Sequence, residues 1–196
     1  VVVAAPLLPR RETWAFWAAL PRPPAAAYRG ATLGISGGLL VPLVAGAAAA
    51  GLVLGLGLLE LALLVTTVVA TVLFWTALVA LLSALTLEPT RAMALSLAAW
   101  AVLVLAYSPL VVGLAVALAD YPLTGFLLAA LLLNPLELLR VGLLQALEVP
   151  VLVGPIGKLV SDHVPSGGML IGLASVALGV LTMLWSAGFL FARRDR

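Results

Sequence analysis

Charge is what this sequence has least of: Asp, Glu, Lys and Arg make up 9% of its 196 residues, where a soluble domain carries about 25%. So few ionisable groups cannot cover a globular surface in water, which excludes an ordinary soluble fold. Cysteine is absent, ruling out disulfides, thiolate metal sites and cysteine-ligated iron–sulfur clusters. The single histidine, His163, has only Asp162 as a close acidic neighbour, too few donors for a metal site. Met93, Met169 and Met183 share no spacing and read as core filler rather than a copper path. Gly154-Pro155-Ile156-Gly157-Lys158 imitates a phosphate loop, but Leu152 and Leu159 stand where that loop needs Gly and Ser or Thr. No cofactor or metal is expected, and any nucleotide must be bound by another subunit.

What the chain has instead is apolar length, with 64% hydrophobic residues and a mean hydropathy of +1.26. A bilayer core about 30 Å thick needs roughly 20 apolar helical residues to cross it. Residues 31–56, 61–85, 92–119 and 168–191 each meet that length with no charge in their interiors. The expected fold is all-α, a polytopic transmembrane helix bundle. Residues 1–8 read as the end of a fifth span, and with no initiator Met before Val1 further spans are expected upstream.

Ten Lys and Arg against eight Asp and Glu give a net charge of +2, yet the cations do not form a nucleic-acid face. Arg10, Arg11, Arg22 and Arg29 precede the first span, Arg91 lies between the second and third, and Arg193, Arg194 and Arg196 follow the last. Those places share one side if every span crosses fully, and by the positive-inside rule that side is cytoplasmic, with both termini. The chain is expected in the cell (inner or cytoplasmic) membrane. The opposite side takes Glu60 in a tight turn and residues 120–167, where Asp120, Glu137, Glu148 and Asp162 outnumber Arg140 and Lys158.

Gly34 with Gly38 and Gly51 with Gly55 are GxxxG pairs inside apolar segments. They suit close helix packing, or simply reflect how common glycine is in membrane helices. Pro42 and Pro109 should kink their helices. Secondary transporters and pumps usually hold ionisable groups near mid-membrane, and these spans hold none. Thr66, Thr67, Thr71 and Thr76 could line a path, but Thr66 and Thr67 are adjacent and point different ways, which favours packing.

Residues 9–30 are too short and polar to cross. Thr13 can cap a short helix from Trp14 to Leu20, ended by Pro21 and Pro23-Pro24. Its Trp14, Phe16 and Trp17 rings suit either an anchor among headgroups or a groove on a partner protein. In residues 120–167 the apolar runs 123–133 and 149–156 are too short to span and fit re-entrant or interfacial segments. Between them Asn134-Pro135-Leu136-Glu137 reads as a helix start: Asn134 caps, Pro135 needs no donor partner, and Glu137 can reach back to the cap. Leu136, Leu139, Leu143 and Leu147 then form one stripe of an amphipathic helix near the outer surface. Arg140 can pair with Glu137 one turn away.

Three of these features together resemble the ABC-2 type permeases, and within them the permeases that serve copper-site maturation of nitrous oxide reductase. Thr13 is followed after seven residues by Pro21 and after eight more by Gly30, which is similar to the family's cytoplasmic gate segment. Leu132-Leu133-Asn134-Pro135-Leu136-Glu137-Leu138-Leu139-Arg140 resembles the subgroup's Asn-Pro-x-Asp-x-x-Arg stretch between its last two spans. Phe189-Leu190-Phe191-Ala192-Arg193-Arg194-Asp195-Arg196 is similar to the family's arginine-rich end. Arg10 stands where the family usually has an acid, with Glu12 beside Thr13 instead; Glu137 replaces Asp, and Ala31 a Lys.

The resemblance implies a six-helix permease without catalysis of its own, with two N-terminal spans upstream. It would pair with a second copy of itself and two ATPase subunits that seat the segment bearing Arg11, Glu12, Thr13, Trp14 and Trp17. Asn134, Pro135, Glu137 and Arg140 would form its external motif. Membrane lipid and a periplasmic or extracellular protein are the other expected partners. Direct copper ligation is not expected; a sulfur-containing cargo, or force passed to an external partner, is. The competing readings are a secondary transporter or channel, and a membrane-embedded enzyme or scaffold built around Glu137 and Arg140.

Overall fold

The computed structural model describes residues 24–86, 88–118, 120–121, 123–147 and 168–193. The 1–8 tail of a span, the gate segment from 9 to 23, the 148–167 stretch and the basic end after Arg193 lie outside the described residues. All described elements are helical: α1 Pro24–Val53, α2 Leu58–Thr86, α3 Pro89–Trp100, a π-helical turn Ala101–Ala106, α4 Tyr107–Ala117, α5 Leu123–Leu133, α6 Pro135–Ala146 and α7 Gly168–Arg193. Four stretches are long and apolar enough to cross a membrane: Tyr28–Val53, Leu58–Thr86, Pro89–Ala117 and Gly168–Leu190. The chain is a multi-pass membrane protein of the all-α class.

Helix ends follow local chemistry. The first helix starts at Pro24 rather than at 31, because a proline at the first helical position gives up a donor that has no partner there anyway. Pro24 therefore opens a helix, and Tyr28, Arg29 and Gly30 belong to α1. It stops at Val53, short of 56. Gly55 takes φ +71°, and Gly55 N and Leu56 N donate back to Leu52 O at 3.1 Å and Gly51 O at 3.0 Å. Those two bonds define a Schellman cap. Gly55 is thus a turn residue, not half of a helix-packing pair. Glu60 then returns from the first turn of α2 to accept from Gly57 N at 2.8 Å.

The chain divides into two compact units. Unit 1 takes residues 1–43, 72–101 and 178–196, and unit 2 takes 44–71 and 102–177. In unit 1 the buried residues Tyr28, Val79, Ala80, Ala84, Ala92 and Ala187 bring parts of α1, α2, α3 and α7 together. Alanine at four of those places lets the backbones approach closely. The α1–α2 seam carries polar pins: Tyr28 OH donates to Ala80 O at 2.5 Å, and Ser36 Oγ bonds Thr76 Oγ1 at 2.9 Å. Thr76, one of the hydroxyls open to a pathway reading, is spent on packing. Such interhelical bonds are worth about 0.6 kcal/mol on average and up to about 1.7 in a bilayer.

In unit 2 the closest helix crossing joins α6 to the start of α7. A Cβ on Gly142 would stand 2.6 Å from Met169 N and 2.7 Å from its Cα, and one on Gly172 would stand 2.8 Å from Leu139 Cα. Gly51 instead lies under the side chains of Leu61 and Leu64, while Gly34 and Gly38 meet nothing within 4 Å. The contact glycines differ from the GxxxG pairs that stand out in the sequence.

This contrast is testable by thermal unfolding in detergent. Gly142→Ala should destabilise by about 1–3 kcal/mol, because the obstructing atoms are backbone and cannot rotate away. Gly34→Ala should cost nothing and can gain up to about 1 kcal/mol of helix propensity. Equal behaviour of the two variants would refute the α6–α7 crossing.

Candidate functional site: the helix break at Asn134

The α5 and α6 helices are too short to span alone, at 11 and 12 residues. They form a bent pair, Gly125–Leu133 with Pro135–Ala146, turning through 106°, which is either a broken span or a re-entrant loop. A break of this kind strips helix ends of backbone partners, which hydrocarbon cannot replace.

Asn134 resolves the break. It is 1% exposed, has extended φ and ψ, and precedes Pro135, whose ring disfavours a helical conformation at residue 134. Its Oδ1 accepts from Glu137 N at 3.3 Å, and its Nδ2 donates to Leu103 O at 2.9 Å. One side chain therefore caps α6 and ties it to the π turn.

That π turn marks the disturbance expected at Pro109, which has no N–H to offer the carbonyl four residues back. The helix widens over Ala101–Ala106 just before it, and π turns of this sort commonly sit at functional sites. Tyr107 follows directly, and its hydroxyl donates to Ala130 O in the last turn of α5. Tyr107 also packs on the Val111, Leu127 and Ala130 cluster. Two side-chain donors, an amide and a phenol, thus fasten the π turn and the residue after it to both arms of the break.

Glu137 departs from its expected role. Its carboxylate does not reach back to the cap; both oxygens take Arg140 Nη1, at 3.1 and 3.2 Å. The Arg140 side chain is 57% exposed and that of Glu137 14%. A half-wet pair one turn apart contributes a few tenths of a kcal/mol, so the pair orients Glu137 more than it stabilises the fold.

The buried face of α6 also departs from the Leu136, Leu139, Leu143 and Leu147 stripe. Leu138, Leu139, Val141 and Gly142 are buried, while Leu136, Leu143 and Leu147 are half-buried. Gly142 sets the facing, because only glycine admits the α7 backbone so closely, and leucine spacing alone does not register that. Leu103, Tyr107, Gly142 and Gly172 are the members of this region that the sequence reading did not single out. Pro109, a proline inside an apolar run, was the one available signal for the π turn.

Of the residues expected to act, Asn134, Pro135, Glu137 and Arg140 come together here. Arg11, Glu12, Thr13, Trp14 and Trp17 lie outside the described residues. Among the described residues no group of three or more His, Asp or Glu is placed to hold a metal ion.

Replacing Asn134 by Ala should lower stability by about 1–3 kcal/mol, from the lost cap and the orphaned carbonyl together. Asn134→Asp restores the acceptor but not the donor, so it should rescue only part of the loss. Full rescue by Asp, read from unfolding midpoints, would show that the bond to Leu103 contributes nothing.

No family model matches the chain, and neither the curated proteins nor the solved structures include a match to it.

Proposed function

We propose that the chain is the membrane-spanning permease subunit of an ATP-driven ABC-type transporter, working as a pair of copies with two separate ATPase subunits in the cell membrane. The observation that carries this reading is the broken helix pair at Asn134-Pro135. One of the three stretches that resemble the ABC-2 permeases is also a place where the described chain departs from a simple span. A capped, re-entrant elbow suits a subunit whose work is steric and mechanical. Apolar spans without mid-membrane charges suit the same role, since the driving energy then comes from outside the bilayer rather than from a titratable relay.

The distribution of charge supports the orientation. Among described residues unit 1 contains Arg29, Arg91, Arg193 and Glu88, whereas unit 2 contains Glu60, Asp120, Glu137 and Arg140. The arginine-bearing helix ends are cytoplasmic on this reading, and the Glu60 turn and Asn134 elbow face outward. Service to nitrous oxide reductase maturation is the narrower form of the proposal. It rests on the Asn-Pro-x-Glu-x-x-Arg pattern alone, with a sulfur-containing species or mechanical force as the cargo.

The ATPase encoded beside this chain should co-purify with the full-length protein. Trp14→Ala with Trp17→Ala should abolish capture and any stimulation of ATP hydrolysis. Capture that is indifferent to both tryptophans would remove the gate-segment assignment, and no capture in any variant would remove the transporter reading.

Orientation has its own check, made easy by the absence of native cysteine. A cysteine in place of Glu60 should react with an impermeant maleimide added outside intact cells, and one in place of Arg91 only after the membrane is opened. The reverse pattern would invert the topology.

A further inference from the structure

Within unit 1 the Arg29 side chain lies directly across α7 at Gly188. A Cβ there would stand 2.8 Å from Arg29 Nε and 3.1 Å from Nη2. Glycine therefore leaves a notch that seats the guanidinium against the helix. Arg29 remains exposed, and no salt bridge engages it among the described residues, where Arg91 takes Glu88 at 2.7 Å and Arg140 takes Glu137 at 3.1 Å. A seated guanidinium keeps its planar fork of donors ordered and unspent, which is the geometry that suits phosphate oxygens.

The surroundings specify what kind of phosphate. Trp185 and Phe189, one turn apart on α7, lie at the same level of the helix as Gly188, three residues before it and one after, on a more exposed face. Their rings stack at 5.6 Å centroid separation and 11°, with relative exposures of 65% and 41%. An indole exposed near a span end belongs at the headgroup level of a bilayer. The span that carries Arg29 begins at Tyr28, so the guanidinium also sits at a span end. A soluble anion gains nothing from a cation held at this level, whereas a phospholipid carries its phosphate there already.

We propose that Arg29, seated across Gly188 at the span end that also carries Trp185, is a binding site for the phosphodiester headgroup of an anionic phospholipid. The site depends only on the membrane-spanning helices and is independent of any ATPase partner. Arg91 sits in the same unit but is neutralised by Glu88, so it serves as an internal control. Gly188 acts as a positioning residue, since a methyl group there displaces the guanidinium without altering charge.

The test is native mass spectrometry of the full-length protein released from vesicles of equal phosphatidylglycerol and phosphatidylcholine, counting each lipid retained. Wild type should retain phosphatidylglycerol preferentially. Arg29→Gln should reduce that preference about fivefold, the factor expected of one interfacial cation, and Arg91→Gln should leave it intact. Gly188→Ala keeps every charge and should also reduce retention, which separates lost seating from lost charge and from general unfolding. An unchanged preference in both Arg29→Gln and Gly188→Ala overturns the proposal. Displacement of the lipid by millimolar inorganic phosphate overturns it too, since that would make the notch a site for a soluble anion.

Discussion

Everything in unit 2 depends on one constraint, that a backbone donor or acceptor exposed to hydrocarbon must find a partner within the protein. Two disturbances of the helical ladder lie against each other there, between Leu133 and Pro135 and in the widened turn at Ala101–Ala106. Each break would be costly alone. Placed together they answer one another: Asn134 spends its amide on Leu103 O and its carbonyl oxygen on Glu137 N, and Tyr107 spends its hydroxyl on Ala130 O. Asparagine suits the position because its uncharged side chain carries an acceptor oxygen and an NH2 donor on separate atoms, which can reach two different elements at once. A serine could cap α6 but would not also reach the π turn with an amide donor.

Glycine marks where backbones meet, though not where sequence spacing directs attention. Gly142 and Gly172 are thirty residues apart and lie on different helices, so no local pattern relates them; only the fold brings the pair into one crossing. Gly51 and Gly55 show the opposite case. Their spacing imitates a packing motif, yet Gly55 adopts a positive φ that ends the helix and Gly51 takes the side chains of α2. The same spacing serves a cap and a crossing equally well, and what distinguishes them is the polar, turn-forming context around Gly57 and Glu60.

The legible parts of this protein are those governed by composition or by contacts within four residues. Four apolar lengths predict four spans, and Asn134-Pro135 predicts a helix start, because lipid thickness and capping act on consecutive residues. Arg140 with Glu137 falls in the same class. What was not legible required a second segment: the bond from Asn134 to Leu103, the Tyr107 tie to α5, and the burial of Leu138 in place of Leu136. Glu137 illustrates the boundary. Its sequence position permits either a return to the cap or a pairing with Arg140, and both are local, so local rules could not choose between them.

The α6–α7 crossing fixes one arm of the Asn134 elbow. Main-chain atoms of Met169 and Leu139 stand within 3 Å of where a Cβ would sit on the opposing glycines, so the two helices meet backbone to backbone with no room for a side chain between them. A side chain in such a seam could yield by changing rotamer, but backbone cannot. The α6 arm is therefore packed on the first turns of α7, while Tyr107 holds the α5 arm beside the π turn. Between the arms, Asn134 holds Leu103 O. Opening the elbow there would leave a carbonyl and an amide without partners in hydrocarbon, a penalty of about 1–3 kcal/mol for each buried group, so polar satisfaction holds the angle of the elbow as well as packing does.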